Sequence, residues 1–191
     1  MWVIKLDGDL LHDPAAPHGL AAWLTMLATF GGGRVTVVPG AGAFADPVLL
    51  AQRQWGFSEL TAHNMQVMAM VQAAEMLHAL EPRLRLVRED ADIRQTLHAG
   101  ACAVWQPYIA LRDAPDALIT AHGFRSDCLA LWLAQRLNAE RVVVVKTLAP
   151  PAPRRPAPHP LDRWRRDAAF TMNVVEPADL DQVRAALVNG S

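Results

Sequence analysis

Two lysines and one aspartate stand at positions in this sequence where they could act on phosphate. Lys5 interrupts an apolar stretch near the amino terminus, Lys146 follows the aliphatic run 142–145, and Asp127 lies where a helix should begin. Ammonium groups neutralise the oxygens of a transferring phosphoryl group, and a carboxylate can hold lysines in place. A simpler interpretation is equally open, in which Asp127 caps its helix and Lys146 is a solvated residue at a strand end.

Two glycine-bearing turns follow predicted strands elsewhere in the chain. Asp7-Gly8-Asp9 comes directly after the first strand, and Gly40-Ala41-Gly42 comes after Pro39. Glycine at such turns lets backbone amides approach a phosphate, and the dipole of a following helix favours the anion. Each turn alone is weak evidence, because any tight turn uses glycine. Their order along one short chain favours phosphate binding more strongly.

The elements that must position these residues alternate between strand and helix. Apolar periodicity predicts helices over 18–30, 44–55, 58–80, 92–98, from 126 onward, and over 177–187. Short aliphatic runs predict strands over 2–6, 34–38, 84–87, 101–105, 117–120, 142–145 and 171–175. This alternation predicts an α/β fold with a mostly parallel sheet of about seven strands, covered on both faces. Such folds bind ligands at the carboxyl edge of the sheet.

Length and composition exclude several classes of protein. The chain has 191 residues, of which 52% are hydrophobic and 19% charged, and its net charge is −1. These values predict one domain over residues 1–191 with no basic excess for nucleic acid or an anionic membrane. The sequence shows no membrane span and no room for a signal peptide, so we expect a cytoplasmic protein. The proline-rich segment 149–160 is predicted to be an extended surface loop.

The order of these motifs resembles the amino acid kinase family, which includes acetylglutamate, aspartate, carbamate and uridylate kinases. Members open with a strand carrying a lysine and a Gly-Gly-Ser turn, and a later strand runs into a Pro-Gly-Gly-Gly type turn. Further along they have a Ser-Asp helix start and a Val-Lys-Ser strand end. The corresponding segments here are 3–9, 37–46, 126–130 and 145–147.

Three shorter segments look most like one branch of that family. They are 54–58, 62–63 and 68–70, and the shortness of the chain agrees with them. The branch comprises archaeal and methylotroph proteins similar to [5-(aminomethyl)furan-3-yl]methyl phosphate kinase of methanofuran biosynthesis.

The resemblance implies a three-layer αβα sandwich that transfers the γ-phosphoryl group of ATP, usually with Mg²⁺, to a carboxylate, carbamate or phosphate acceptor. Lys5 would contact the transferring group, Asp127 would orient the lysines, and Lys146 would meet the nucleotide side. Amides of Gly8 and of the turn Gly40–Gly42 would bind phosphate. Such transfer depends on positioning and charge neutralisation rather than covalent help.

The chain departs from the family pattern where phosphate should bind. Asp7 and Asp9 stand in place of a glycine and a serine, and like charges about 4 Å apart repel by roughly 4 kcal/mol at an effective dielectric near 20. Mg²⁺ held by Asp7 or Asp9 would reverse that effect. Ala41 replaces a glycine and would be strained if the turn required a positive φ there. After Lys146 the usual nucleotide loop is replaced by the proline-rich segment.

Three functional hypotheses follow from these observations. The first is a small-molecule kinase with Trp55, His63 and Tyr108 on the acceptor side. Trp55 and Tyr108 could equally be core or interface aromatics, and a lone histidine on an apolar helix is more often structural than a base. The second is a catalytically inactive kinase fold that serves as a binding or regulatory subunit. The third is a metal site formed by Asp7, Asp9 and Asp127 for a different reaction. The methionine-rich helix 58–80 would suit a homo- or hetero-oligomer under the first two.

Overall fold

Six parallel strands form one sheet in the computed structural model of this chain, which describes residues 1–11, 18–111, 126–147 and 169–190. The strands are β1 (Trp2–Leu6), β2 (Val35–Pro39), β3 (Leu84–Val87), β4 (Cys102–Trp105), β5 (Arg141–Val145) and β6 (Thr171–Val175). Their order across the sheet is β3-β4-β2-β1-β5-β6. The predicted α/β fold is confirmed. The seventh predicted strand, 117–120, and the proline-rich segment 149–160 lie outside the described residues.

Helices cover the two faces of this sheet. They are α1 (Leu20–Phe30), α2 (Asp46–Trp55), α3 (Glu59–Leu80), α4 (Asp90–His98), α5 (Tyr108–Leu111), α6 (Ser126–Arg136) and α7 (Leu180–Asn189). Short 3-10 turns at Gly8–Leu11, Gly42–Phe44 and Pro177–Asp179 precede or interrupt them. Within the described residues, no helix combines the length and the apolar character needed to cross a bilayer.

Alternation along β1 assigns its side chains to two separate cores. Trp2, Ile4 and Leu6 pack with residues of α1 and α7, whereas Val3 packs with residues of α6 and the first half of α3. Successive strand residues point to opposite faces, so Lys5 shares the face of Val3. β1 lies between β2 and β5, with Lys5 in register with Val38 and Val144. A charged side chain therefore points into the layer under α6.

The longest helix, α3, begins and packs as its sequence indicates. The Ser58 hydroxyl accepts a hydrogen bond from the Thr61 amide at 3.2 Å, which caps the helix and satisfies an otherwise free donor. Its methionines divide between two environments, because Met70 is fully buried and Met68 is 48% exposed. The helix therefore packs on the sheet with one side only.

Candidate active site

Lys5 is buried inside the sheet layer, and its charge is balanced there by two carboxylates. Only 1% of the residue is exposed. Its Nζ lies 2.8 Å from Oδ1 of Asp127 and 3.1 Å from Oδ2 of Asp7. Taking an ammonium out of water costs several kcal/mol unless nearby charges offset it. Lys5 is stable at this position only because these carboxylates lie against it.

Asp127 connects Lys5 to the second lysine. It lies in the first turn of α6, it is 4% exposed, and its Oδ2 is 3.9 Å from Nζ of Lys146. Lys146 follows β5, the strand next to β1, and its side chain is 18% exposed. The helix amino terminus also favours a negative charge at this position. The structure therefore brings Lys5, Asp127 and Lys146 together at the carboxyl ends of β1 and β5.

The two glycine turns pack against each other, backbone on backbone. A Cβ added to Gly8 would lie 2.3 Å from the Gly42 nitrogen, and one added to Gly40 would lie 2.3 Å from the Gly8 nitrogen. Glycine is therefore required for contact between the turns. The Gly40 amide donates to the carbonyl oxygen of Leu6 at 2.7 Å, so it is not free to bind phosphate. The expectation that the Gly40 amide binds phosphate is therefore corrected by this hydrogen bond.

Ala41 fits its turn without strain. Its φ of −75° and ψ of −27° lie in the ordinary right-handed region, and the positive φ of +51° falls on Gly42. The substitution of glycine by alanine therefore leaves the turn intact, because the left-handed position is still occupied by glycine.

A cavity of about 270 Å³ opens where the two turns meet the start of α6. Its lining residues are Lys5, Asp7, Gly8, Asp9, Ala41, Gly42, Ala45, Asp46, Gln66, Ser126 and Asp127. Four of these described residues are aspartates and one is a lysine, so negative charge dominates this part of the walls. An anionic ligand could enter only with compensating positive charge.

Sequence reasoning assigned no role to Asp46 and Gln66, two polar residues of this cavity. Asp46 begins α2 directly after the second glycine turn, and Gln66 comes from the middle of α3. The position of Asp46 behind a candidate phosphate turn was an available signal. Gln66 gives none, because its neighbours along α3 are mostly apolar and only the packing of α3 against the Gly42–Phe44 turn brings it to the cavity.

The carboxylates of this cavity suit a magnesium ion that is bound together with phosphate. Mg²⁺ prefers oxygen ligands and is commonly held by one or two carboxylates plus substrate phosphates. Asp7 and Asp9 both line the cavity and are the residues that would hold such an ion. In the part of the chain that the structure describes, no group of three or more His, Cys, Asp or Glu side chains could hold a metal ion. Asp127 is engaged by both lysines, so the hypothesis of a three-aspartate metal site is not supported.

The three candidates for the acceptor side lie elsewhere, since none of them lines the cavity around Lys5. Trp55 ends α2 and is 80% exposed. His63 is buried in α3, and burial lowers the pKa of its imidazole, so the neutral form is favoured. Tyr108 lines a different cavity of about 570 Å³ beside α3, together with Arg88 and Gln106.

The fold and the site define an α/β protein with an ion-paired lysine cluster at the carboxyl edge of a parallel sheet. The model of the amino acid kinase family matches residues 1–149. The chain belongs to the amino acid kinase family and is thus a kinase-fold protein. A search of the curated proteins finds no match.

Solved kinase structures share this fold at low sequence identity. UMP kinase from Ureaplasma parvum is similar with a TM-score of 0.68 and 11% identity over 96% of this chain and 95% of that one. An isopentenyl phosphate kinase gives a TM-score of 0.58 and 17% identity over 99% and 96%. Uridylate kinase from Archaeoglobus fulgidus gives a TM-score of 0.57 and 16% identity over 78% of this chain. The match covers 64% of the length of the Archaeoglobus chain.

Proposed function

We propose that this chain is a small-molecule kinase that transfers the γ-phosphoryl group of ATP to a phosphate or carboxylate acceptor. The buried cluster of Lys5, Asp127 and Lys146 at the carboxyl ends of β1 and β5 carries this proposal. Ionisable groups buried against one another in a cleft are typical of functional sites, because burying them costs stability that a purely structural role does not require. Membership of the amino acid kinase family supports the same reaction class.

Each member of the cluster has a separate role in this proposal. Asp127 holds both ammonium groups at fixed positions, Lys5 lies on the wall of the cavity that receives the transferring group, and the more exposed Lys146 faces the nucleotide. Asp7 or Asp9 would hold Mg²⁺, which would supply the positive charge that the phosphate oxygens need. Positioning and charge neutralisation then account for most of the catalysis, as in other phosphoryl transfers.

The walls of the cavity favour an acceptor that carries both a phosphate and an ammonium group. Asp9 and Asp46 are exposed there and could bind a cation on the acceptor. The similar kinases named for UMP and for isopentenyl phosphate act on phosphate monoesters, which supports a phosphate acceptor here. We therefore propose [5-(aminomethyl)furan-3-yl]methyl phosphate as the acceptor to test first, with a role in methanofuran biosynthesis.

A second candidate function is a catalytically inactive subunit of a hetero-oligomer. Two observations favour it: Asp7 already occupies the ammonium of Lys5, and apolar side chains are exposed on α2 and α3. Those side chains are Leu50, Trp55, Leu60 and Met68, which are 48% to 80% exposed. A surface of this kind suits contact with a second subunit, either a copy of this chain or an active relative.

Phosphoryl transfer by this 191-residue chain distinguishes the two candidates. The purified chain is incubated with ATP, Mg²⁺ and one acceptor at a time: the aminomethylfuran phosphate, UMP, isopentenyl phosphate or a simple carboxylate. We expect ADP formation that depends on acceptor, and a loss of at least about 100-fold in Asp127→Asn, because the lysines lose their common anchor. The control Asp181→Asn changes an exposed ion pair on α7 and should retain activity. Absence of transfer to every acceptor would favour the subunit role.

A further inference from the structure

The ammonium of Lys5 is paired with two carboxylates. Asp127 and Asp7 both lie within 3.1 Å of its Nζ, but they differ in access to solvent. The Asp127 side chain is 6% exposed and the Asp7 side chain 25%. The amide of Asp7 donates to the Val145 carbonyl at 3.0 Å, which anchors its backbone to β5. Asp7 can therefore leave Lys5 by rotation of its side chain alone.

Among the residues that the structure describes, the charges around Lys5 leave no positive excess for a phosphate. Lys5 and Lys146 contribute two positive charges, which Asp7 and Asp127 cancel. Asp9 and Asp46 add two negative charges to the walls of the same cavity. A polyphosphate without a cation would therefore meet net repulsion, whereas a complex with a divalent cation brings the missing positive charge.

We propose that Asp7 is a specificity-determining residue that makes polyphosphate binding conditional on a divalent cation. Without the cation, its carboxylate occupies the position on Lys5 that a phosphoryl oxygen would take. A cation-bound polyphosphate attracts Asp7 away from Lys5, and the ammonium then donates its hydrogen bond to a phosphate oxygen instead. This inference rests on the proposed function, because it treats the cavity around Lys5 as the phosphate site.

Asp9 provides a matched comparison for this role. It lines the same cavity and carries the same charge, yet within the described residues it makes no ion pair with Lys5. Neutralising either aspartate changes the charge of the cavity equally. Only the Asp7 change also removes a partner of the Lys5 ammonium, so a difference in metal-free binding between the two variants measures the contact itself.

Calorimetric titration with inorganic tripolyphosphate and with ATP tests the inference, each with Mg²⁺ and with a chelator. For the wild-type chain we expect Mg²⁺ to tighten tripolyphosphate binding by at least about tenfold. In Asp7→Asn, metal-free binding should become at least about tenfold tighter, so that Mg²⁺ adds less than about threefold. In Asp9→Asn, which leaves both partners of Lys5 in place, metal-free binding should tighten by less than about threefold. Asp7→Ser serves as a second variant in case Asp7→Asn does not fold.

Equal metal-free binding of tripolyphosphate by Asp7→Asn and Asp9→Asn would overturn the inference. Metal-free binding that is unchanged in both Asp7 variants would also overturn it, as would no binding of tripolyphosphate by any of these proteins. A purely structural role for Asp7 predicts weaker binding and a lower melting temperature, whereas this inference predicts tighter metal-free binding. The result is separable from the proposed function. Phosphoryl transfer with unchanged metal-free binding in the Asp7 variants rejects only the inference. A gain in metal-free binding without transfer to any acceptor rejects only the kinase.

Discussion

Two regions at the carboxyl edge of the same sheet handle polar groups in opposite ways. At the ends of β1 and β5, the charges of Lys5 and Asp127 are themselves buried and lie against one another. At the ends of β3 and β4, a neutral amide is buried instead. Gln106 is 3% exposed, accepts a hydrogen bond from Arg88 Nε at 3.0 Å and donates one to Glu75 Oε1 at 2.7 Å. Both of those charged residues are exposed.

The two regions differ in the free energy needed to take their polar groups out of water, and the buried charges at the ends of β1 and β5 require more of it. Hydrogen bonds between a buried amide and two exposed ions require little desolvation of charge, so the second region is stable without any ligand. Its cavity of about 570 Å³ has apolar walls contributed by Met68, Val71 and Ile109. The first region removes full charges from water, and this burial is tolerated only when each buried charge keeps its oppositely charged partner. Four tests, most of them with a control variant, can break or sharpen this contrast.

The largest effect is expected from Asp127→Ala. It removes the carboxylate that Lys5 and Lys146 share and leaves a buried ammonium with Asp7 alone, so we expect a loss of about 3–5 kcal/mol in the free energy of unfolding. The matched control is Asp181→Ala, which breaks the exposed pair with Arg184 at 3.1 Å and should cost less than about 1 kcal/mol. Guanidinium chloride unfolding measures both. Similar losses in the two variants would mean that the cluster around Lys5 is not desolvated.

A smaller effect is expected from Gly8→Ala, which tests the packing of the two turns. The added Cβ would lie 2.3 Å from the backbone nitrogen of Gly42, and we expect a loss of about 2–3 kcal/mol as the turns separate. Gly56→Ala is the control, because its Cβ meets nothing within 4 Å but its φ of +65° costs about 1 kcal/mol. Thermal unfolding should place Gly8→Ala well below Gly56→Ala. The reverse order would show that backbone conformation matters more than the contact between the turns.

The second region is tested by Gln106→Leu, which removes the hydrogen bonds to Glu75 and Arg88. We expect the free energy of unfolding to fall by only about 1–2 kcal/mol, because both exposed partners can bond to water instead. The control is Gln72→Ala, because Gln72 lines the same cavity from the exposed side of α3. This change should lower the free energy of unfolding by less than about 0.5 kcal/mol. Neither change should alter tripolyphosphate binding in calorimetry. A change in Gln106→Leu as large as that in Asp7→Asn would mean that the two regions form one site.

The smallest expected effect is a pH dependence that arises from His63. Burial lowers the pKa of this imidazole from its ordinary value of 6.5, so the unfolded chain binds the proton more readily than the folded one. Stability contributed by the neutral ring is therefore present above pH 6.5 and falls as the pH drops below it. Melting temperatures from pH 7.5 to 5.5 should fall more for the wild-type chain than for His63→Gln. Parallel curves would show that His63 does not titrate in this range.

Much of the fold could be predicted because its signals are local. Aliphatic runs, their helical neighbours and the glycine turns lie close together along the chain, so β1, β2, β5 and the parallel sheet follow from periodicity and turn chemistry. The placement of Lys5, Asp127 and Lys146 near one edge follows from the same pattern, because parallel strands all end on one side. The two aspartates in the first turn were also visible as a departure from the family pattern.

The details of the site could not be predicted in this way. The choice of Asp7 as a partner of Lys5, the positive φ at Gly42 instead of Ala41, and the arrival of Gln66 at the cavity depend on contacts between distant parts of the chain. The separation of Tyr108 into another cavity depends on the path of α3 across the sheet.

The sequence by itself determined which residues could carry charge at the edge of the sheet, because strand and helix patterns are written in neighbouring residues. Only the tertiary structure decided which of those charges meet. Ion pairing and burial depend on angstrom-scale distances between elements, and these distances arise from side-chain packing across the whole sheet.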